Sequence, residues 1–191
     1  MLNIDRRTLL YAFGIASVSP LLPAQTAAPR RVVVAQPGEN LFAYSTDRQD
    51  KFAACKVTSE DSAGGCSIFE LVVPTLSGPG LHVHHREDEW YHVLSGRFIF
   101  EVGGQQYHLP VGGSIFAPRD IPHRWANEDK TEAKVILVCQ PGGFEKFFDE
   151  LGKMPAADTK PAQMVQVLAK YGMEALGPPI FSGMPPGQPS H

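Results

Sequence analysis

Two histidines two residues apart, His82 and His84, and a glutamate five residues further on, Glu89, are the side chains here whose types and spacing could do chemistry together. They sit in HVHHREDEWYHVLSG, residues 82–96; a third histidine, His123, stands in a second stretch, GGSIFAPRDIPHRWAN, residues 112–127. Three imidazoles and one carboxylate form a mixed donor set suited to Fe, Mn, Ni, Cu or Zn, with a position left for water or substrate. A redox-active ion so held could take a small organic chelate and engage dioxygen, with Glu89 as the catalytic base that accepts a substrate hydroxyl proton. A redox-inert ion would leave Lewis-acid chemistry: isomerisation, decarboxylation or hydrolysis.

Convergence of these four groups requires strands. Gly78, Pro79 and Gly80 break any helix entering His82–His84, and Trp90, Tyr91, Val93 and Leu94 favour extended chain. On a strand, residues two apart share a face, so His82 and His84 point one way and Val83 the other. The polar residues 85–88 make a turn, and a second strand starts near Glu89 with Tyr91 and Val93 on its face. His85 has the wrong parity to join His84, and His92 faces away from Glu89. His108 lies outside both stretches, and His191 is terminal. Tyr91 and Trp125 share parity with Glu89 and His123, as cavity wall or as core. Glu70 points either into the mouth of the fold or to solvent. Phe69 and Phe116 read as core.

Strands are expected near 32–35, 41–45, 52–58, 66–73, 81–84, 89–95, 97–102, 105–109, 114–117, 122–127 and 133–140. They are short and separated by Gly or Pro, the pattern of a β-barrel or sandwich. Gly103-Gly104 supplies a tight hairpin turn. The period changes after residue 142. Phe144, Phe147, Phe148 and Leu151 fall at i, i+3, i+4 and i+7, one helix face, with Gly152 to end it. This aromatic face reads as a cap on the barrel wall. A second helix is expected from Pro161 to Tyr171. The segment from Gly177 onward is too rich in Pro and Gly for regular structure.

The first stretch resembles the first motif of the cupin superfamily: Gly, five residues, His-x-His, four residues, Glu, six residues, Gly. His82, His84, Glu89 and Gly96 match; Leu76 stands where the leading Gly would be. The second resembles the second cupin motif through Gly112, Pro118, His123 and Asn127, with Asp120 in place of a Gly. Fifteen residues separate the motifs, the short spacing of compact bacterial cupins. The run from Ala63 to Gly177, including PGGFEKFFDELGK and AKYGMEALGPP, is similar to small bacterial cupins of the quercetin 2,3-dioxygenase-like kind. The resemblance implies an all-β fold, a single cupin jelly-roll β-barrel with short C-terminal helices. It implies one divalent transition metal on His82, His84, Glu89 and His123, and a dioxygenase for a small aromatic or enolic substrate such as a flavonol. A cupin decarboxylase or isomerase, or a non-catalytic binder of metal or a small ligand, is the alternative. Cupins also pair through edge strands, which makes 32–45 the expected homodimer contact.

The 191 residues make one domain with extensions, and a hydrophobic fraction of 43% supplies a core. A net charge of −3 gives no electrostatic case for nucleic acid. Residues 1–28 read as an export signal: DRRTLL at 5–10 resembles a twin-arginine signal, followed by an apolar run too short for a comfortable membrane span. The expected organisation is thus a signal at 1–28, a cupin barrel at 29–141 and a helical cap with a Pro/Gly-rich tail at 142–191, in an exported, periplasmic protein with no stable membrane span once mature. The cysteines are Cys55, Cys66 and Cys139, without a C-x-x-C pair. Cys55 and Cys66 could meet across a hairpin as a disulfide; three small buried side chains is the plainer reading.

Overall fold

The computed structural model describes residues 30–41, 53–154 and 161–182. The expected export signal and most of the expected strand at 41–45 lie outside these residues. Alternation of apolar and polar residues decides the strands, which form β1 (Ala53–Val57), β2 (Ser67–Val73), β3 (Gly80–His84), β4 (Asp88–Ser95), β5 (Phe98–Val102), β6 (Gln105–Leu109), β7 (Ser114–Ala117), β8 (His123–Asn127) and β9 (Ala133–Gln140). Two helices follow, α1 (Glu145–Gly152) and α2 (Pro161–Lys170), then a last strand, β10 (Met173–Pro179).

The strands pair into two five-stranded antiparallel sheets, in the orders β1-β2-β9-β4-β7 and β10-β3-β8-β5-β6. The fold is mostly β, a jelly roll. Phe69, Leu71 and Val73 of β2, Val135 and Leu137 of β9 and Tyr91 and Val93 of β4 turn inward at every second position. They meet Phe98 and Phe100 of β5 and Trp125 of β8 from the other sheet, the Tyr91 and Phe100 rings lying 5.1 Å apart. Glu89 occupies an inward position of this apolar series, and so do His82, His84 and His123 on the facing sheet.

Three expectations change. Residues 32–35 form no strand; the chain is tied just before them by the Arg31 N–H, which donates to the Asp61 carbonyl, and Val32 is 98% exposed. Phe116 is not core: it sits on the outer face of β7, 56% exposed, opposite Trp90. The Pro/Gly-rich chain near Gly177 is not irregular throughout. It continues β10, which pairs with β3 in the register Met173↔His84 and Ala175↔His82. β10 is an edge strand, and an edge tolerates Pro178 and Pro179 because their missing N–H groups leave no ladder partner unmet.

The three cysteines are free thiols, Cys55 and Cys139 buried. No helix among the described residues is long and apolar enough to cross a membrane.

Candidate metal centre

The site is assembled across the two sheets. β3 carries His82 and His84 on one face, and its neighbour β8 places His123 directly opposite His82, their ring centroids 4.5 Å apart. β4 brings Glu89 from the other sheet. One carboxylate oxygen, Oε2, lies 2.8 Å from His123 Nε2, and Oε1 lies 3.6 Å from His84 Nε2. One ligand atom from each of the four residues falls within 4.8 Å of all the others.

The far side of each imidazole is spoken for. His82 Nδ1–H donates to the Gly80 carbonyl at 2.8 Å, His123 Nδ1–H to the Ile121 carbonyl at 3.0 Å, and His84 Nδ1–H to Glu87 at a longer 3.4 Å. These contacts fix ring orientation and leave every Nε2 aimed at one point, the arrangement that metal-bound histidines use. The Glu89 carboxylate is held just as firmly. Tyr91 donates its hydroxyl hydrogen to Oε2 at 2.8 Å, the Cys139 thiol lies 3.7 Å from Oε1, and Trp125 Nε1–H donates to the Tyr91 oxygen at 3.1 Å.

The charges follow from this packing. Burial alone would raise the Glu89 carboxyl, but His84 and His123 outweigh it and hold the group well below the usual carboxylate range. Burial, seconded by the charge of Glu89, pushes the Tyr91 and Cys139 protons well above their ordinary values, so both remain donors. Burial, aided by His123, takes His82 down to about 4. For His123 burial works downward too, but the hydrogen bond to Glu89 wins and raises it. Three convergent imidazoles with a buried anion among them are the donor chemistry of a divalent transition ion, which would take the place of the proton between His123 and Glu89.

Residues 69–139, which contain all four groups, match the cupin domain family. Those residues form a cupin domain. The chain is similar to an uncharacterized protein of Methanocaldococcus jannaschii, 28% identical over 75 residues covering 39% of this chain and 60% of that one. It is also similar to the HTH-type transcriptional regulator PuuR of Escherichia coli, 31% identical over 77 residues covering 40% of this chain and 41% of that one. The matched region thus spans 60% and 41% of the lengths of these two curated relatives. Among solved structures, a double-stranded β-helix protein of Klebsiella pneumoniae aligns with a TM-score of 0.46 at 15% identity, over 60% of this chain and 93% of that one.

The domain departs from the two motifs at Leu76 and Asp120, and both residues keep the left-handed backbone a glycine would take there, with φ of +50° and +62°. Asp120 makes use of it: its N–H donates to the His84 carbonyl at 2.7 Å, and its carboxylate takes His85 Nδ1–H at 2.6 Å. The turn therefore survives the substitution and ties β3 to the loop before His123.

A cavity of 420 Å³ opens onto His82, His84 and Glu89. Tyr91 and Trp125 line it, together with Phe144, Phe147, Phe148 and Leu151 of the helical segment. The aromatic face expected to cap the barrel wall thus walls the cavity, with the Phe144 ring 5.1 Å from that of His84. A wider depression of 930 Å³ runs between residues 31–34 and the Ser59–Gly64 turn, but its buried carboxylates are already satisfied, Glu145 by Ser59 and Ser67 and Asp61 by Thr58 and Arg31.

The other sequence candidates fall outside the centre. Glu70 pairs with Lys134 at the surface, His85 is exposed beside Asp120, His92 stacks on Trp90, and His108 pairs with Glu128. His191 is not among the described residues. Two contributors escaped the sequence reading. Glu87 looked like one more turn residue, and only its contact with His84 Nδ1 reveals it. Cys139 could have been found from strand parity, since it continues the inward series Ala133, Val135, Leu137.

Proposed function

We propose that this cupin is a metal-dependent dioxygenase for a small aromatic or enolic substrate, its one divalent ion held by His82, His84, Glu89 and His123. The observation that carries the reading is the pairing of this converging donor set with an otherwise apolar cavity. A bound redox-active ion supplies a centre at which an enolic hydroxyl is acidified and dioxygen can react.

The chain's own residues supply the rest. Glu89 stays anionic and lies at the cavity floor, available to accept the hydroxyl proton, while Tyr91 holds its second oxygen in place. Leu71, Leu137 and the α1 rings exclude water from the substrate. Glu89 is the one carboxylate among the described residues that line the cavity, and none of these is a lysine or arginine. An isomerase or decarboxylase that needs a second carboxylate or a lysine beside Glu89 finds neither among these described residues, which favours oxygenation. We further propose export through the twin-arginine-like residues 5–10.

The test is metal content per chain, beside a His84→Ala, His123→Ala double variant, followed by oxygen uptake with a flavonol. Near one equivalent of Fe, Mn, Ni or Cu, lost in the variant, with metal-dependent oxygen consumption, is the expected result. Equal trace metal in both proteins would refute the ligand assignment. Metal without oxygen uptake would favour a binding protein.

A further inference from the structure

The walls above the metal centre offer a ligand almost nothing polar. Beyond His82, His84 and Glu89, the only side chains with polar hydrogens among the described residues of the lining are Tyr91 and Trp125, and both are spent, one on Glu89 and one on Tyr91. Among the described residues, no arginine, lysine, amide or aliphatic hydroxyl lines the cavity to meet a carboxylate, a phosphate or a polyol. Such a ligand would give up its water without replacement partners.

The wall instead presents rings. Phe144 and Phe147 stack at 4.9 Å with their planes 26° apart, and Phe148 meets Phe144 edge-on at 5.2 Å. Leu81, Met164 and Leu168 also line the space. A cavity of about 150 Å³ accommodates one benzene ring, so 420 Å³ holds two or three rings.

This wall is fixed without help from the metal centre. The buried Glu145 carboxylate at the start of α1 accepts from the Ser59 N–H, the Ser59 hydroxyl and the Ser67 hydroxyl, and the Ser67 oxygen in turn takes the Gly143 N–H at 2.8 Å. The Tyr171 hydroxyl, just beyond α2, lies 2.9 Å from the Lys146 carbonyl and 2.8 Å from Glu150, both on α1. The apolar half of the cavity is therefore preformed.

We infer that the C-terminal helices make this cavity a clamp for a planar, uncharged ligand of two or three rings, recognised through its apolar body and retained even when no metal is present. This rests on the reading that the cavity is the substrate site, but not on the chemistry done there. Phe147 acts as a specificity-determining residue: it lines the cavity, stacked on Phe144 and held edge-on by Tyr171 at 5.6 Å.

Ligand binding can be read from Trp125. In a Trp90→Phe background it is the sole tryptophan and lines the cavity. The metal-free protein is titrated with flavone, a planar uncharged molecule without a chelating hydroxyl, and separately with oxalate and glucuronate. Saturable quenching by flavone alone is expected, and Phe147→Leu, which keeps apolar bulk but removes the stack, weakens it about fivefold. No saturable quenching by flavone, or equal response to oxalate or glucuronate, overturns the clamp; these comparisons need no cavity variant and stand even if Phe147→Leu does not fold. Unchanged flavone affinity in a folded Phe147→Leu overturns the role of that ring. Flavone binding to a protein that fails the metal test leaves the clamp standing without the dioxygenase, and metal binding without flavone binding leaves the reverse.

Discussion

Replacing Tyr91 by Phe removes one oxygen atom from the middle of a buried chain running from Trp125 through Tyr91 to Glu89. Tyr91 is 2% exposed and its ring packs against Phe100 and Trp125, so the phenyl group remains in place and only the hydrogen bonds are lost. The bond to the Glu89 carboxylate is charge-assisted, worth about 1.5–3 kcal/mol, and the Trp125 N–H left buried without its acceptor costs about 1–3 kcal/mol more. Neighbouring effects overlap, so a combined loss of about 3 kcal/mol is expected, a large share of the roughly 5–15 kcal/mol that holds a domain together. The assay is urea unfolding of the metal-free protein, with Tyr107→Phe as control. Tyr107 is half exposed and its hydroxyl reaches only Gln105, so the control should stay within about 0.5 kcal/mol of the parent. Metal affinity, measured by competition with a chelator, should fall about 10- to 100-fold in Tyr91→Phe, because Glu89 loses the donor that orients it. If Tyr91→Phe unfolds like Tyr107→Phe and binds metal like the parent, the buried chain is not a structural element of the centre and the argument for it fails.

A β-carbon at position 78 would lie 1.9 Å from the Trp125 carbonyl oxygen, in backbone that cannot yield, so Gly78→Ala should cost about 3 kcal/mol or more, visible as a lowered thermal midpoint. Asn127, fully buried, donates to the Val73, Pro74 and Thr131 carbonyls and accepts from the Asp129 N–H. Asn127→Asp should therefore destabilise at neutral pH at least as much as Asn127→Ala, since it turns a buried donor into a buried anion facing carbonyls; urea midpoints of the two variants decide. His82 protonates near 6.5 when unfolded but only near 4 when folded. Between those pH values the unfolded chain binds a proton that the folded chain refuses, so this residue's contribution is present above 6.5 and drains away as pH falls, by up to about 3 kcal/mol. His123, with a raised value, acts in the opposite sense, its contribution present at low pH and lost as pH rises through the folded value. In metal-free protein, His82→Gln should lose about 2 kcal/mol less than the parent between pH 7 and 4.5; an equal loss in both would remove His82 as a source of acid sensitivity.

The strands were legible because alternation is a local signal: Phe69, Leu71 and Val73, or Val135 and Leu137, announce an inward face without reference to anything distant. The same parity placed His82 beside His84 and excluded His85 and His92. It failed at Val32 and Val34, where an apolar alternation finds no sheet partner among the described residues, and at Phe116, whose strand lies at a sheet edge with its outer face uncovered. It also failed at β10, where Gly177 and the following prolines signal irregular chain but an edge register accepts them.

What the sequence determined by itself is the donor set: four residues of the right chemistry, at spacings that put His82 and His84 on one strand face and Glu89 at the start of the next strand. Tertiary structure alone decided that Glu89 meets His123 from the opposing sheet, that Glu87 and Cys139 touch the centre, and that the Phe144–Leu151 face folds over its mouth. The reason is range. Which way a side chain points is settled within two residues by the pleat of its own strand, whereas what it points at depends on pairings between segments tens of residues apart, and no local period encodes those.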